Sequence, residues 1–153
     1  MSLPEVMCLL PRFYKKAGFF MRKKFRESKY YEDWLQKANR DLDTAFLNHR
    51  HGGYTDTTCY FCHQTVEKAL KSYLLFKELD FLPQTHILPS LLPLCEQKDK
   101  GFSRFKEACE ILDGYYIETK YPTSPAIDYP KEEAGEALQL AEEVLEFVKK
   151  KLA

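Results

Sequence analysis

The stretch Cys59–Tyr73, CYFCHQTVEKALKSY, decides how this chain folds. Cys59, Cys62, Val66, Ala69, Leu70 and Tyr73 recur at three- and four-residue steps, the spacing that gathers side chains on one stripe of an α-helix. The other face carries Gln64, Glu67, Lys68 and Lys71. Glu67 and Lys71 stand four apart, as in an ordinary helical ion pair worth ~0.2–0.5 kcal/mol. The same stretch holds Cys59-x-x-Cys62-His63, the bare pattern of c-type haem attachment. Both cysteines fall on the apolar stripe, however, and no second cysteine pair has metal-site spacing.

Working outward toward the N-terminus, Tyr31 to Leu47 reads as a helix with Trp34, Leu35, Ala38, Leu42, Ala45 and Phe46 inside. Lys37, Arg40 and Asp41 lie off that stripe, and Gly52-Gly53 supplies the stop. Thr55 or Asp56 caps the central helix, which is expected to run to about Leu79. Toward the C-terminus, residues 81–85 form a loop around Pro83. A short helix then starts at Thr85 or Ser90 and ends near Lys98, with Pro93 predicting a kink or a split. Ser103 caps a fourth helix with Phe105, Ala108, Leu112 and Tyr115 or Tyr116 inside. Three prolines between Tyr121 and Pro130 predict an extended loop, and Pro130 suits the first position of the last helix. That helix has Ala134, Leu138, Ala141, Val144, Leu145 and Val148 as its stripe. Glu132 and Glu133 complement its dipole at one end and Lys149 to Lys151 at the other. No strand-like alternation of any length occurs. The expected fold is all-α, an up-and-down bundle of four main helices plus a short one, with mostly antiparallel neighbours.

A chain of 153 residues, 44% hydrophobic, is long enough for one core without staples. No apolar run approaches the ~18 residues of a membrane span. The first apolar run, Val6 to Leu10, stops at Pro11 and is too short for a signal peptide, so the chain reads as cytoplasmic and its five cysteines as reduced thiols. Charge is uneven despite a formal net of zero. Residues 1–29 hold eight Lys/Arg against two Glu, interleaved with Phe13, Tyr14, Phe19, Phe20 and Phe25. They form a basic aromatic arm ahead of a helical domain at 30–153. Such an arm suits nucleic acid, an anionic membrane, a partner's acidic face, or docking on its own body.

Outside the central helix, His86 follows a loop and opens His86-x-Leu88-x-x-Leu91, where a histidine serves as a cap, a core residue or a base. His49 and His51 sit in a glycine-rich turn and read as exposed. Tyr115-Tyr116-Ile-Glu-Thr-Lys120-Tyr121-Pro122 sets aromatic rings beside a cation, the means to stack on a base and neutralise a phosphate. The same residues would serve equally to close a bundle end. No glycine-rich phosphate loop, nucleophile elbow, H-E-x-x-H or dinucleotide fingerprint occurs, so a self-contained kinase, hydrolase or metalloprotease is unsupported and no cofactor is implied.

Taken in order, Trp34…Ala38…Asp41-Leu42…Ala45, Gln64-Thr-Val-Glu67-Lys68-Ala69-Leu70-Lys71, His86-Ile-Leu88 and Tyr116…Lys120-Tyr121-Pro122 resemble the HEPN domain (higher eukaryotes and prokaryotes nucleotide-binding) across roughly Tyr31 to Leu152. The resemblance implies a helical bundle that commonly forms a homodimer. It also implies nucleotide or RNA binding, often beside a small nucleotidyltransferase as one half of a toxin–antitoxin pair. Its implied site is a binding loop of Lys120, Tyr116 and Tyr121, completed by His86 and Lys68 or Lys71. Catalytic relatives are metal-independent ribonucleases with Arg-x(4–6)-His. Here no arginine is followed by a histidine five to seven positions on, and Lys120-Tyr121-Pro122 stands where related domains place Arg-Tyr-Pro. Lysine keeps the charge but lacks the two-pronged grip of a guanidinium on phosphate. The reading is therefore a binding module, with a ribonuclease of divergent active site or a purely structural dimerisation protein as alternatives. Tyr121 or Tyr129 is a further candidate for modification or phosphate contact.

Overall fold

The computed structural model describes residues 27–79, 82–122 and 128–153, with backbone only at Ile117, Thr119 and Lys120. The arm up to Arg26 lies outside the described residues. Five α-helices follow: α1 (Tyr31–Arg50), α2 (Thr55–Phe76), α3 (Leu88–Lys98), α4 (Lys106–Lys120) and α5 (Lys131–Leu152). A 3₁₀ turn at Lys100–Phe105 leads into α4. Among the described residues there is no strand, as the absence of alternating runs predicts, and no helix long and apolar enough to cross a membrane.

The central helix is α2, which packs against α1, α3, α4 and α5. Its apolar stripe is wholly buried: Cys59, Cys62, Val66, Ala69, Leu70 and Tyr73 join Ala38, Leu42 and Ala45 of α1 and Leu138, Ala141 and Leu145 of α5 in one core. Each large apolar side chain so buried contributes roughly 1.5–3 kcal/mol. Ser72 Oγ donates to the carbonyl of Tyr31 at 2.9 Å, pinning the end of α2 to the start of α1.

Several boundaries differ from the sequence expectation, each for a local reason. The first helix runs three residues beyond Leu47. Gly52, at φ +69°, then turns the chain while Gly53 N–H donates to Asn48 and Gly52 N–H to His49. The second helix stops at Phe76 and not Leu79, and it stops in the same way. Leu79 N–H donates to Leu74, Glu78 N–H donates to Leu75, and Glu78 occupies the left-handed position at φ 56°. Helix α3 starts at Leu88, where Asp113 accepts the Leu88 N–H at 2.8 Å, and it passes through Pro93 without splitting. Ser103 caps nothing, because its hydroxyl donates to the carbonyl of Lys100. Asp99 is the cap, accepting from Gly101 N–H and opening the 3₁₀ turn. Pro130 is the residue before α5, with Lys131 first in the helix.

Candidate functional site

Gln64, Glu67, Lys68 and Lys71 form the row that sequence spacing assigns to the polar face of α2. Glu67 and Lys71 are nevertheless buried, because α1 covers that face from one side and the His86 segment from the other. Asp41, expected off the inner stripe of α1, is also buried and is the counterpart of this row. Its two oxygens take Lys37 at 2.7 Å and Lys68 at 2.6 Å. The second contact is close enough for an ion pair but is not aligned as a hydrogen bond. Lys68 also donates to Gln64 Oε1 at 2.8 Å. Lys71 donates to Glu67 Oε1 at 2.8 Å and lies 5.3 Å from the centre of the Trp34 ring. Trp34 Nε1–H is in turn held by the carbonyl of Ser28.

Lys71 is therefore no open cleft residue: its side chain is 2% exposed and its charge is already met. Lys68 is partly exposed and likewise paired. Burial by itself would raise the Glu67 carboxyl, but the hydrogen bonds and charges of Lys71 and His86 outweigh it and hold the group below the usual glutamate range.

The oxygen that Lys71 engages also accepts from His86, whose Nδ1 is 2.9 Å away. A carboxylate only accepts, so Nδ1 carries the proton. That leaves Nε2 with no hydrogen-bond partner among the described residues, on a side chain 53% exposed. Tyr116 stacks on this ring, with centroids 5.5 Å apart and planes 15° from parallel. Its other neighbour is the buried His63, at 4.8 Å and 32°. His63 Nε2–H donates to the backbone carbonyl of His86 at 3.0 Å and lies 3.6 Å from Asp113 Oδ1. Its Nδ1 faces the Gln64 amide at 3.4 Å. Burial dominates at His63 and pushes its pKa down against the pull of Glu67 and Asp113, so the ring stays neutral. His63 is thus a buried brace for the His86 segment and not a haem-motif histidine, while Cys59 and Cys62 are buried core thiols, raised by burial (Cys59 to about 12).

Of the residues proposed from sequence, the fold brings His86 and Tyr116 into direct contact and joins Lys71 to them through Glu67. Tyr116 and Lys120 belong to α4 and not to a loop. The Lys120 side chain lies outside the described residues, and Tyr121, just past the helix, is 60% exposed. Tyr129 is buried with its hydroxyl donating to Glu118 at 2.6 Å, a position closed to phosphate. The neighbouring Tyr115 donates to Glu133, tying α4 to α5. His49 is half buried, while His51 is exposed as expected. Sequence reasoning missed Asp41, His63, Trp34 and Asp113. The spacing His63, Glu67, Lys71 along one face of α2 was the available signal for the histidine; Asp113 had none, since its role is to cap another helix. Among the described residues no group of side chains could hold a metal ion.

The family model described as HEPN domain matches residues 31–151. A Methanocaldococcus jannaschii protein bearing the name "Putative toxin MJ1304" is 28% identical over 135 residues, covering 79% of this chain and 87% of that protein. The crystal structure of TT1696 from Thermus thermophilus superposes with a TM-score of 0.71 at 34% identity, covering 80% of this chain and 98% of that one. ST0689, an archaeal HEPN homologue, gives 0.67 at 26% identity, covering 82% of this chain and all of its own.

Proposed function

This chain belongs to the HEPN domain family, and on that premise we propose that it is a nucleotide- or RNA-binding module whose site is centred on His86 and Tyr116. The observation that carries the reading is the half-exposed His86 ring, stacked on Tyr116 and oriented by a buried carboxylate. A fixed aromatic edge bearing one open nitrogen can stack on a base or hydrogen-bond to it. Lys120 supplies charge for a phosphate and Tyr121 a second aromatic surface at the rim. Lys68, partly exposed on the same row of α2, is a further cation, and Lys71 acts only by holding Glu67. The lack of Arg-x(4–6)-His supports binding without cutting. Family membership supports a homodimer working beside a small nucleotidyltransferase.

Equilibrium binding to ATP, GTP and a short single-stranded RNA, with the RNA recovered and sized, tests this. Saturable binding with intact RNA is expected. Tyr116→Ala and His86→Ala should each weaken binding by about 1–3 kcal/mol, the range for a stacking contact. Lys120→Ala should weaken it without unfolding the protein, as judged by circular dichroism. Unchanged affinity in all three removes the site from this surface.

A second reading has one specific support, the toxin name of the 28%-identical relative. In it the chain cuts RNA without metal through a divergent residue set. Shortened RNA in the presence of chelator would select that reading over the first.

A further inference from the structure

Helices α4 and α5 are tied at one end by the Tyr115–Glu133 bond. Beyond it the space between them is open, as two adjoining cavities of about 590 and 500 Å³ that meet at Arg104, Phe105 and Glu143. Phe105, Ile111, Leu140 and Phe147 line the floor, with Ile111 44% exposed. Glu107, Glu136, Glu142, Glu143 and Glu146 line the walls. Against these five carboxylates the lining sets two cations, Arg104 and Lys150, and Lys149 meets Glu146 at 2.7 Å from beside it. Arg104 lies over the Phe105 and Phe147 rings at 5.8 and 5.9 Å. The groove is therefore apolar below and acidic above, and it already carries a cation on its aromatic floor.

The complement of such a groove is a segment that alternates aromatic and basic residues, and this chain contains one. Residues 1–26 carry seven Lys/Arg against one Glu, together with Phe13, Tyr14, Phe19, Phe20 and Phe25. The remaining residues, 27–153, carry sixteen Lys/Arg against twenty-two Asp/Glu. The two parts are thus +6 and −6. The same acidity makes the groove repel RNA and anionic lipid. Reach is ample: the segment spans up to about 85 Å when extended, against a radius of gyration of about 14 Å for a domain of this size.

We propose that the α4–α5 groove is a docking site for the chain's own basic aromatic segment, residues 1–26. Aromatic side chains of the segment cover the partly exposed apolar floor, and its lysines and arginines meet the glutamate walls. The contact is intramolecular, weakens with salt, and neutralises most of the acidic excess of the helical body.

The sequence supplies a probe. Cys8 lies in the segment, whereas Cys59, Cys62, Cys95 and Cys109 are buried in the core. A thiol-specific spin label on the full chain therefore goes to Cys8, and paramagnetic broadening of assigned backbone amides maps where the segment rests. Broadening concentrated on residues 104–111 and 136–147 is expected. Strong salt should relieve it, as should E142K/E143K/E146K, a triple change at exposed positions that leaves the core intact. R22E/K23E/K24E should relieve it equally from the other side. Uniform or absent broadening overturns the proposal, as does broadening centred on His86. So does broadening of isotope-labelled, spin-free chains mixed with spin-labelled unenriched ones, which would make the occupant a second copy.

Discussion

Glu67–Lys71 on α2 and Glu146–Lys149 on α5 are both ion pairs within one helix, closed at 2.8 and 2.7 Å. The first is sealed from water, with side chains 4% and 2% exposed; the second is half and a third exposed. In sequence the first reads as an ordinary helix-surface pair, and Lys149 reads only as a cation suited to the end of its helix. Water makes the difference. An exposed pair exchanges one good solvation for another and contributes little. A buried pair has given up hydration, so each charge depends on its partner and on every remaining hydrogen bond. Glu67 has three such donors around it, from Lys71, His86 and, at 3.5 Å, Gln64. A pair that is costly to bury and also holds an exposed histidine in place suits a site better than it suits a scaffold.

Removing one cation from each pair separates the two most widely. Lys71→Met leaves the Glu67 carboxylate buried with only His86 and Gln64, and it should lower stability by about 3–5 kcal/mol. The measurement is the urea midpoint. In the double variant Glu67→Leu/Lys71→Met no charge is stranded, so much of that stability should return. The nucleotide binding proposed above should be lost in the double variant, because His86 then has no carboxylate to orient it. A double variant as unstable as the single one would show that the methionine itself packs badly.

Acid sharpens the same point. The folded pKa of His63 is depressed by burial, so below ~6.5, the value for an unperturbed histidine, the unfolded chain takes up a proton that the folded one refuses. Stability is thus fully present above ~6.5 and falls as pH drops below it. Glu67 is likewise depressed, with burial overcome by Lys71 and His86, so a second loss begins below ~4.3 as its carboxylate is forced to protonate. Urea midpoints between pH 8 and 4 should show the first decline, and His63→Gln should flatten it. A curve unchanged by His63→Gln would assign the decline to other groups.

The apolar stripes were legible because they report burial directly: Val66, Leu70, Leu138 and Leu145 are inside, as their spacing says. Helix ends were legible where residues mark them, as Gly52-Gly53 does after α1 and Pro130 does before α5. The turn at Gly52 announces itself, but the matching turn after Phe76 is made by Glu78, a residue that rarely signals positive φ. The proposed site was half legible. His86 and Tyr116 are far apart in sequence and their stacking is a tertiary fact, although the family resemblance names both as candidates. Spacing puts Asp41, Glu67 and Lys71 on polar faces because polarity by default means solvent. What overrides that default is the pairing of Asp41 with Lys68 across two helices, which no local spacing encodes. Lys149, by contrast, conforms to the default.

That conformity sets the smallest effect. Lys149→Ala removes a cation from the last turn of α5 and one donor from Glu146, whose oxygen it meets at 2.7 Å. The lost pair is worth about 0.2–0.5 kcal/mol and the lost favourable charge at the helix end about 0.3–1 kcal/mol, both screened by salt. Alanine's better helix propensity returns part of this. The urea midpoint should therefore correspond to less than about 1 kcal/mol of change, shrinking further in high salt. A loss comparable to that of Lys71→Met would mean that exposure does not govern these pairs, and the contrast drawn between α2 and α5 would fail.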